Sequence, residues 1–304
     1  MSSTVPAGRT KGPVARSTTG SVVRRASFRV TAVDDISRSR AFTRALALFS
    51  DVFHMNIFDY TFEAYEGLLD AALAAGYAFL PVCEYLRADD LPDRFVVLRH
   101  DVDRRPANAT RMAALESHRD VAATYYLRTA TFDPETARAM AERGHEIGYH
   151  YEDLAYEMGN LDAARRRFER NLEAFREHVP VETACAHGSP LSPHANTDMW
   201  ERCSPADFDL RGEAYRSIDV GPGTPGGLRY LSDTGRTWRT PGSGIERVAT
   251  TDDLVRAIES GAYPRLYLLA HPCRWAGGTL ELASRVAWDL GAESAKFAVG
   301  KLHG

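Results

Sequence analysis

Four apolar runs of strand length in this chain each stop at an acid or a histidine. Residues 95–98 lead through Arg99 and His100 into Asp101-Val102-Asp103. The segment from Gly144 runs to His150 and Glu152, residues 184–186 run to His187, and residues 265–270 run to His271. Parallel sheets bury their strands on both faces and gather their chemistry at the carboxyl ends. Four ends that agree predict one shared polar site along that edge. Side chains alternate along a strand, so Asp101 and Asp103 point the same way and His100 and Val102 the other. Two carboxylates side by side repel unless a cation or a proton sits between them. The pattern asks for a metal ion or for an acid/base pair with split pKa values. A plainer reading makes Asp103 a cap for the helix that Pro106 opens.

The rest of the chain alternates strand-like and helix-like segments. Phe62, Tyr65, Leu68, Leu69 and Leu73 recur at helical spacing, and Gly76 closes that helix. Residues 77–80 form a short strand, followed by a polar connection over 84–94. Asp133 and Pro134 start a helix that ends at Gly144. Leu161, Ala164, Phe168, Leu172 and Phe175 mark a long amphipathic helix, with Arg165-Arg166-Arg167 on its solvated side. Residues 188–227 are rich in Pro, Gly and Ser, with Trp200 and Phe208 as expected anchors; a stretch this long is usually substrate-facing. Residues 228–232 form a strand leading to Asp233, Arg236 and Trp238. Thr251 caps a further helix, and a last helix spans about 279–290. Six or seven strand–helix repeats argue for an α/β fold with a parallel sheet, as a barrel or doubly wound.

Residues 1–27 are rich in Ser, Thr, Gly and Arg, lack apolar periodicity, and are expected to be a disordered tail. Residues 28–304 are expected to form one domain, starting with a strand at 28–33. The tail lacks the apolar region of a secretory signal. Cys83, Cys185, Cys203 and Cys273 lie far apart with no C-x-x-C, which suits reduced thiols and a cytoplasmic location. No apolar run reaches the roughly 18 residues of a membrane span. A net charge of -4 gives no support for nucleic acid or an anionic membrane as partner. The oligomeric state is open at this level.

With R-H-D-V-D at residues 99–103 and G-H-E-I-G-x-H at 144–150, the chain resembles the polysaccharide deacetylase superfamily. This is the NodB-homology or carbohydrate esterase family 4 group, and the first motif matches its divergent R-H-D-V-D branch. The resemblance covers roughly residues 60–290. It implies a distorted (β/α)7-type barrel with a divalent metal at the carboxyl ends of the strands. It also implies hydrolysis of N-acetyl groups on sugars or of related C–N bonds. On the matching positions, Asp101 would be the catalytic base, Asp103 and His150 metal ligands, and His271 the catalytic acid. The family's second histidine, four residues after the first, is Leu154 here. That leaves His187 or Glu152 for the third ligand, with His187 favoured and Glu152 supporting it. The third motif usually carries an Arg near a Pro; here the segment is His187-Gly188-Ser189-Pro190. Arg99 is expected to pair with a strand-end carboxylate or lie at the surface. Asp233, Arg236 and Trp238 fall near the fourth motif and are expected at the substrate or behind the ligands.

Carboxylate and imidazole ligands suit zinc, with iron, cobalt or nickel as alternatives. The expected activity is metal-dependent hydrolysis of an amide, with an amino sugar or related small metabolite as substrate. Two other classes fit the same residues. One is a non-catalytic carbohydrate-binding or scaffold barrel that has lost its metal. The other is a metal-free barrel using the carboxylates as a glycosidase does. Metal content separates the first reading from both.

Overall fold

The computed structural model describes residues 59–221, 228–239, 247–278, 281–282 and 284–285. The expected tail at 1–27 and strand at 28–33 lie outside the described residues, as does most of the expected helix at 279–290.

The first helix, α1 (Phe62–Ala74), buries Phe62, Tyr65, Leu68, Leu69 and Ala72 along one stripe. Thr61 caps it, its hydroxyl accepting the Ala64 N–H at 3.1 Å. Gly76 then reverses the chain at φ +79°, a conformation that disfavours any side chain. Strand β1 (Ala78–Leu80) is followed by helix α2 (Val82–Arg87), where a polar connection was expected. Val82 and Cys83 bury one side of that helix.

The remaining elements alternate as the pattern requires: β2 (Phe95–Val102), α3 (Pro106–Ser117), β3 (Thr124–Leu127), α4 (Pro134–Ala141), β4 (Glu146–Tyr151), α5 (Asp153–Tyr156), α6 (Leu161–Arg176) and β5 (Thr183–Ala186). After two short 3-10 turns come β6 (Gly212–Glu213), β7 (Arg229–Ser232), β8 (Trp238–Arg239), β9 (Arg247–Val248), α7 (Thr251–Glu259) and β10 (Arg265–Ala270). The 3-10 turns bury Trp200 and Phe208, the two expected anchors. Asp133 caps α4 as expected. The cap of α7 is Thr250, one residue earlier than expected, in a reciprocal pair with Asp253.

The strands form one sheet in the order β6-β5-β4-β3-β2-β10-β7-β8-β9, with β1 beside the first half of β2. All pairings from β6 to β7 are parallel; β8 and β9 add an antiparallel edge. The sheet curls strongly. Five strand spacings separate β10 from β6, about 24 Å in a flat sheet. Yet the Tyr267 hydroxyl of β10 donates to the carbonyl of Ala214, next to β6, at 3.2 Å. The alternating pattern implied a parallel α/β sheet, as a barrel or doubly wound, and the resemblance implied a distorted barrel; the sheet is mostly parallel and curled.

The faces of β2 follow the expected alternation. Phe95 and Val97 pack inside the curl with Tyr126, Tyr230 and Tyr267. Val96, Leu98 and Val102 pack outward against the helices. His100 shares that outer side. Its Nε2 lies 2.8 Å from the Glu116 carboxylate of α3, which also accepts the hydroxyls of Tyr65 at 2.5 Å and Tyr125 at 2.7 Å. The His100 ring stacks on Tyr125. All four residues are fully buried, so this polar group is satisfied inside the apolar layer. Burial raises the Glu116 carboxyl and the His100 charge outweighs it, leaving the group below its ordinary value.

Candidate metal centre

The carboxyl ends of β2, β4, β5 and β10 converge on one cluster. Asp103 stands just past the end of β2. Its Oδ1 lies 3.3 Å from His150 Nε2 and 3.6 Å from His187 Nε2. The three form a group whose ligand atoms all lie within 4.8 Å of one another. Ligands about 2.1 Å from a tetrahedral ion stand about 3.4 Å apart, so the two nitrogen–oxygen separations fit. The imidazole of His150 is in the right tautomer. Its Nδ1 donates to the Cys185 carbonyl at 3.0 Å, so in the neutral ring the Nε2 lone pair faces Asp103, and in the protonated ring Nε2 donates to it. Asp103 does not cap α3: the cap position belongs to Arg105, in the left-handed region at φ 57°. Burial raises the Asp103 carboxyl; the hydrogen bond from His150, with the charges of His271 and His187, outweighs it and holds the group well below the carboxylate range.

Glu152 does not join this group. Its Oε2 sits 3.1 Å from His187 Nδ1, on the ring side away from Asp103, and Arg128 clamps both its oxygens at 2.7 Å. The contact with His187 and the Arg128 clamp outweigh burial and lower its pKa to about 2. Arg128 also donates to the Asp103 carbonyl at 3.0 Å. It therefore ties two loops of the site together. Nothing in the local sequence of Arg128 announces this, since its partner lies 24 residues on.

A second group, Asp101, His150 and Cys185, also falls within metal-ligand reach. Arg99 excludes a cation there. Its guanidinium grips Asp101 through two hydrogen bonds of 2.8 and 2.7 Å and meets Cys185 Sγ at 2.7 Å. Burial also pushes the Cys185 thiol well up, so it stays protonated. Arg99 is fully buried, with Tyr267 at 3.0 Å and the Tyr215 ring 4.4 Å from its guanidinium carbon. The surface alternative for Arg99 is thus excluded, and the cation that Asp101 required is Arg99. Burial raises the Asp101 carboxyl, but Arg99 and His150 overcome it and keep it ionised.

On the other flank stands His271, one residue past β10. Asp233 receives its backbone N–H at 2.8 Å and holds Nδ1 at 2.5 Å. Trp275 Nε1 donates to the same carboxylate at 3.1 Å. This fixes the ring and leaves Nε2 as the nitrogen available to a substrate. Burial lowers the His271 pKa, and the Asp233 charge more than reverses that, raising it above 6.5.

Two residues expected at the substrate or behind the ligands lie in the layer behind Asp233 and its neighbours Arg274 and Trp275. Trp238 is fully buried, donates to Thr251 at 3.0 Å, and packs near Tyr60 and Trp275. Arg236 is buried beside the Tyr60 ring and donates to the Arg274 carbonyl at 3.1 Å. The turn after Asp233 carries both away from the site into the antiparallel edge.

Beside His187 opens a cleft of about 720 Å³ between the 188–197 loop and Tyr215. A second groove, of about 820 Å³, starts at Arg128 and Glu152 and runs along the same loop. Among the described residues no helix is long and apolar enough to cross a membrane.

No family profile and no curated protein matches this chain. Solved structures do, at low identity. A carbohydrate esterase family 4 pseudoenzyme from Bacillus anthracis is 16% identical, with a TM-score of 0.40 over 66% of this chain and 65% of that one. A family 4 esterase from Streptococcus mutans is 15% identical, with a TM-score of 0.40 over 71% and 87% of the two chains. A family 4 esterase from Streptomyces lividans, solved with acetate, is 16% identical, with a TM-score of 0.37 over 66% and 89%.

Proposed function

We propose that this protein is a metal-dependent amide hydrolase that removes an acyl group from an amino sugar or a related small metabolite. The observation that carries this is the convergence of Asp103, His150 and His187 at ligand spacing, with Asp101 and His271 on either side. Two imidazoles and a carboxylate suit zinc, with iron, cobalt or nickel as alternatives. A divalent ion held there supplies Lewis-acid polarisation of the amide carbonyl and acidifies water. Asp101 accepts the proton of the attacking water; Arg99 occupies one lone pair of each Asp101 oxygen, and a second remains on each. Oδ2, 3.8 Å from His150 Nε2, faces the ligand group. His271 gives the departing amine its proton from Nε2, while Asp233 holds the imidazolium.

The roles predict a pH profile. Asp101 must be ionised, and its carboxyl lies below 3.8, so the acidic limb of kcat/KM falls at low pH. His271 must be protonated, and its pKa lies above 6.5, so activity is lost as pH rises through that higher value. His271→Ala should lose the alkaline limb and about 10²–10⁴ in rate while keeping its metal. Metal loss in that variant would make His271 a ligand instead.

The ligand assignment has its own test. Zinc affinity measured by competition should fall by more than about 100-fold in His187→Ala, and by no more than about 10–100-fold in Glu152→Gln. The reverse order would give Glu152 the ligand role. No effect from either would favour the scaffold or metal-free readings.

A further inference from the structure

We infer that Glu213 is a positioning residue of the metal centre: its carboxylate sets both the strand end that carries His187 and the ring that covers Arg99 and Asp101. This rests on the metal-dependent reading above.

Glu213 closes β6, a strand of two residues at the edge of the sheet, and is fully buried. Its Oε1 accepts the Ala186 N–H at 2.9 Å and the Tyr151 hydroxyl at 3.3 Å. Its Oε2 accepts the N–H groups of Tyr215 at 2.9 Å and Arg216 at 3.0 Å. A carboxylate accepts at about four sites and donates at none, and here donors fill all of them. An amide in its place would accept through one oxygen only and turn its own N–H groups on backbone N–H groups.

The carboxylate replaces a backbone bond that the curl removes. With Ala184 paired to Glu213, a regular parallel ladder would send the Ala186 N–H to the Ala214 carbonyl. That carbonyl instead accepts the Tyr267 hydroxyl from across the curl. Glu213 Oε1 takes the orphaned N–H, at the last residue of β5.

The segment held in this way serves the site twice. One residue before Ala186, the Cys185 carbonyl accepts His150 Nδ1; one residue after it stands the candidate ligand His187. Beyond the strand, the buried Asn196 donates to the His187 carbonyl at 2.7 Å and accepts the Ala155 N–H at 2.9 Å. Glu213 is the anchor on the strand side. Its Oε2 fixes the turn after β6, and that turn lays the Tyr215 ring 4.4 Å from the Arg99 guanidinium carbon. Arg99 in turn holds Asp101. One buried carboxylate thus sets the spacing of two ligands and covers the pair that contains the base. Partners behind the ligands govern metal affinity through the orientation they impose.

The test measures zinc affinity by competition and the visible spectrum of the cobalt-loaded protein, on full-length chains. The spectrum reports ligand geometry, which a loss of fold stability alone does not move. Glu213→Gln should bind zinc about 10–100-fold more weakly than the native protein and give an altered cobalt spectrum. Glu213→Asp covers the case in which that variant fails to fold. It keeps the charge and reaches the N–H groups of its own turn, but not Ala186 across the strand. It should lose affinity in the same direction. Glu116→Gln is the control, a fully buried carboxylate of the outer layer that takes its hydrogen bonds from side chains. It should lower the thermal midpoint and leave zinc affinity and spectrum native. Native affinity and spectrum in a folded Glu213 variant, or failure of both variants to fold, overturn the inference and leave the metal centre standing. An equal loss in Glu116→Gln overturns it too, because the effect is then one of general stability. Failure of the native protein to bind zinc or cobalt overturns the metal-dependent reading itself, and this inference with it.

Discussion

Arg99→Met should destabilise the protein by about 3–5 kcal/mol at neutral pH, the cost of leaving one member of a buried ion pair alone. Arg99 and Asp101 have side chains 0% and 3% exposed, so water cannot take the place of the lost guanidinium. The methionine fills most of the volume, so the effect is the loss of the charge and of the hydrogen bonds to Asp101, Tyr267 and Cys185. The pH dependence follows. In the native protein the Asp101 carboxyl is held below its unfolded value, so its stabilising contribution is present above the unfolded pKa and lost as pH falls through the folded one. Without Arg99, burial dominates and the folded pKa rises above the unfolded one. The deficit should therefore be full near pH 7 and shrink as pH falls toward 4. Urea unfolding of both proteins at several pH values checks this. A deficit under about 1 kcal/mol at pH 7 would show that the pair contributes geometry and little stability.

Asp103→Ala should purify without stoichiometric zinc and hydrolyse nothing above background. Asp103 Oδ1 faces both His150 and His187 within 3.6 Å. Two imidazoles alone leave a divalent ion with half a tetrahedral shell. The Asp103 side chain is 27% exposed and its carbonyl, not its carboxylate, anchors Arg128. The fold should accordingly survive, with a thermal midpoint close to that of the native protein. Elemental analysis and a melting curve on one preparation separate the two effects. Full zinc occupancy in this variant would remove Asp103 from the ligand set, and with it the proposed centre.

The strand ends were legible because burial imposes a plain rule: an apolar run continues unless something compels charge. Asp101, His150, His187 and His271 all announce themselves in this way. The pairing of Arg99 was half legible, since residues two apart on a strand share a face. Arg128, Asn196 and Glu116 were not legible at all. Their partners stand on other elements, and each sits in a local sequence that an ordinary turn or helix face also satisfies. For Trp238 and Arg236 the choice between the substrate and the layer behind the ligands was not legible, for a related reason. Closeness in sequence to Asp233 does not carry a side chain to the same place when the chain turns between them. The short helix over Val82–Arg87 was hidden by its polar outer face.

Strand β2 carries one polar partnership on each of its faces, Arg99 with Asp101 inside the curl and His100 with Glu116 outside. The consequence concerns alignment. A one-residue slip would turn Arg99 and Asp101 into the helix layer, far from Cys185 and Tyr267, and His100 into the interior, away from Glu116. Apolar residues alone would forgive that error, because the surroundings of Phe95 on one face and of Val96 on the other are both greasy. Charge does not forgive it. Parallel strands meet only after long chain segments have closed, so mispaired intermediates have time to form. The central strand of this sheet thus carries its own proofreading: the same alternation that delivers a carboxylate to the reaction edge rejects every odd-numbered misalignment of the sheet around it.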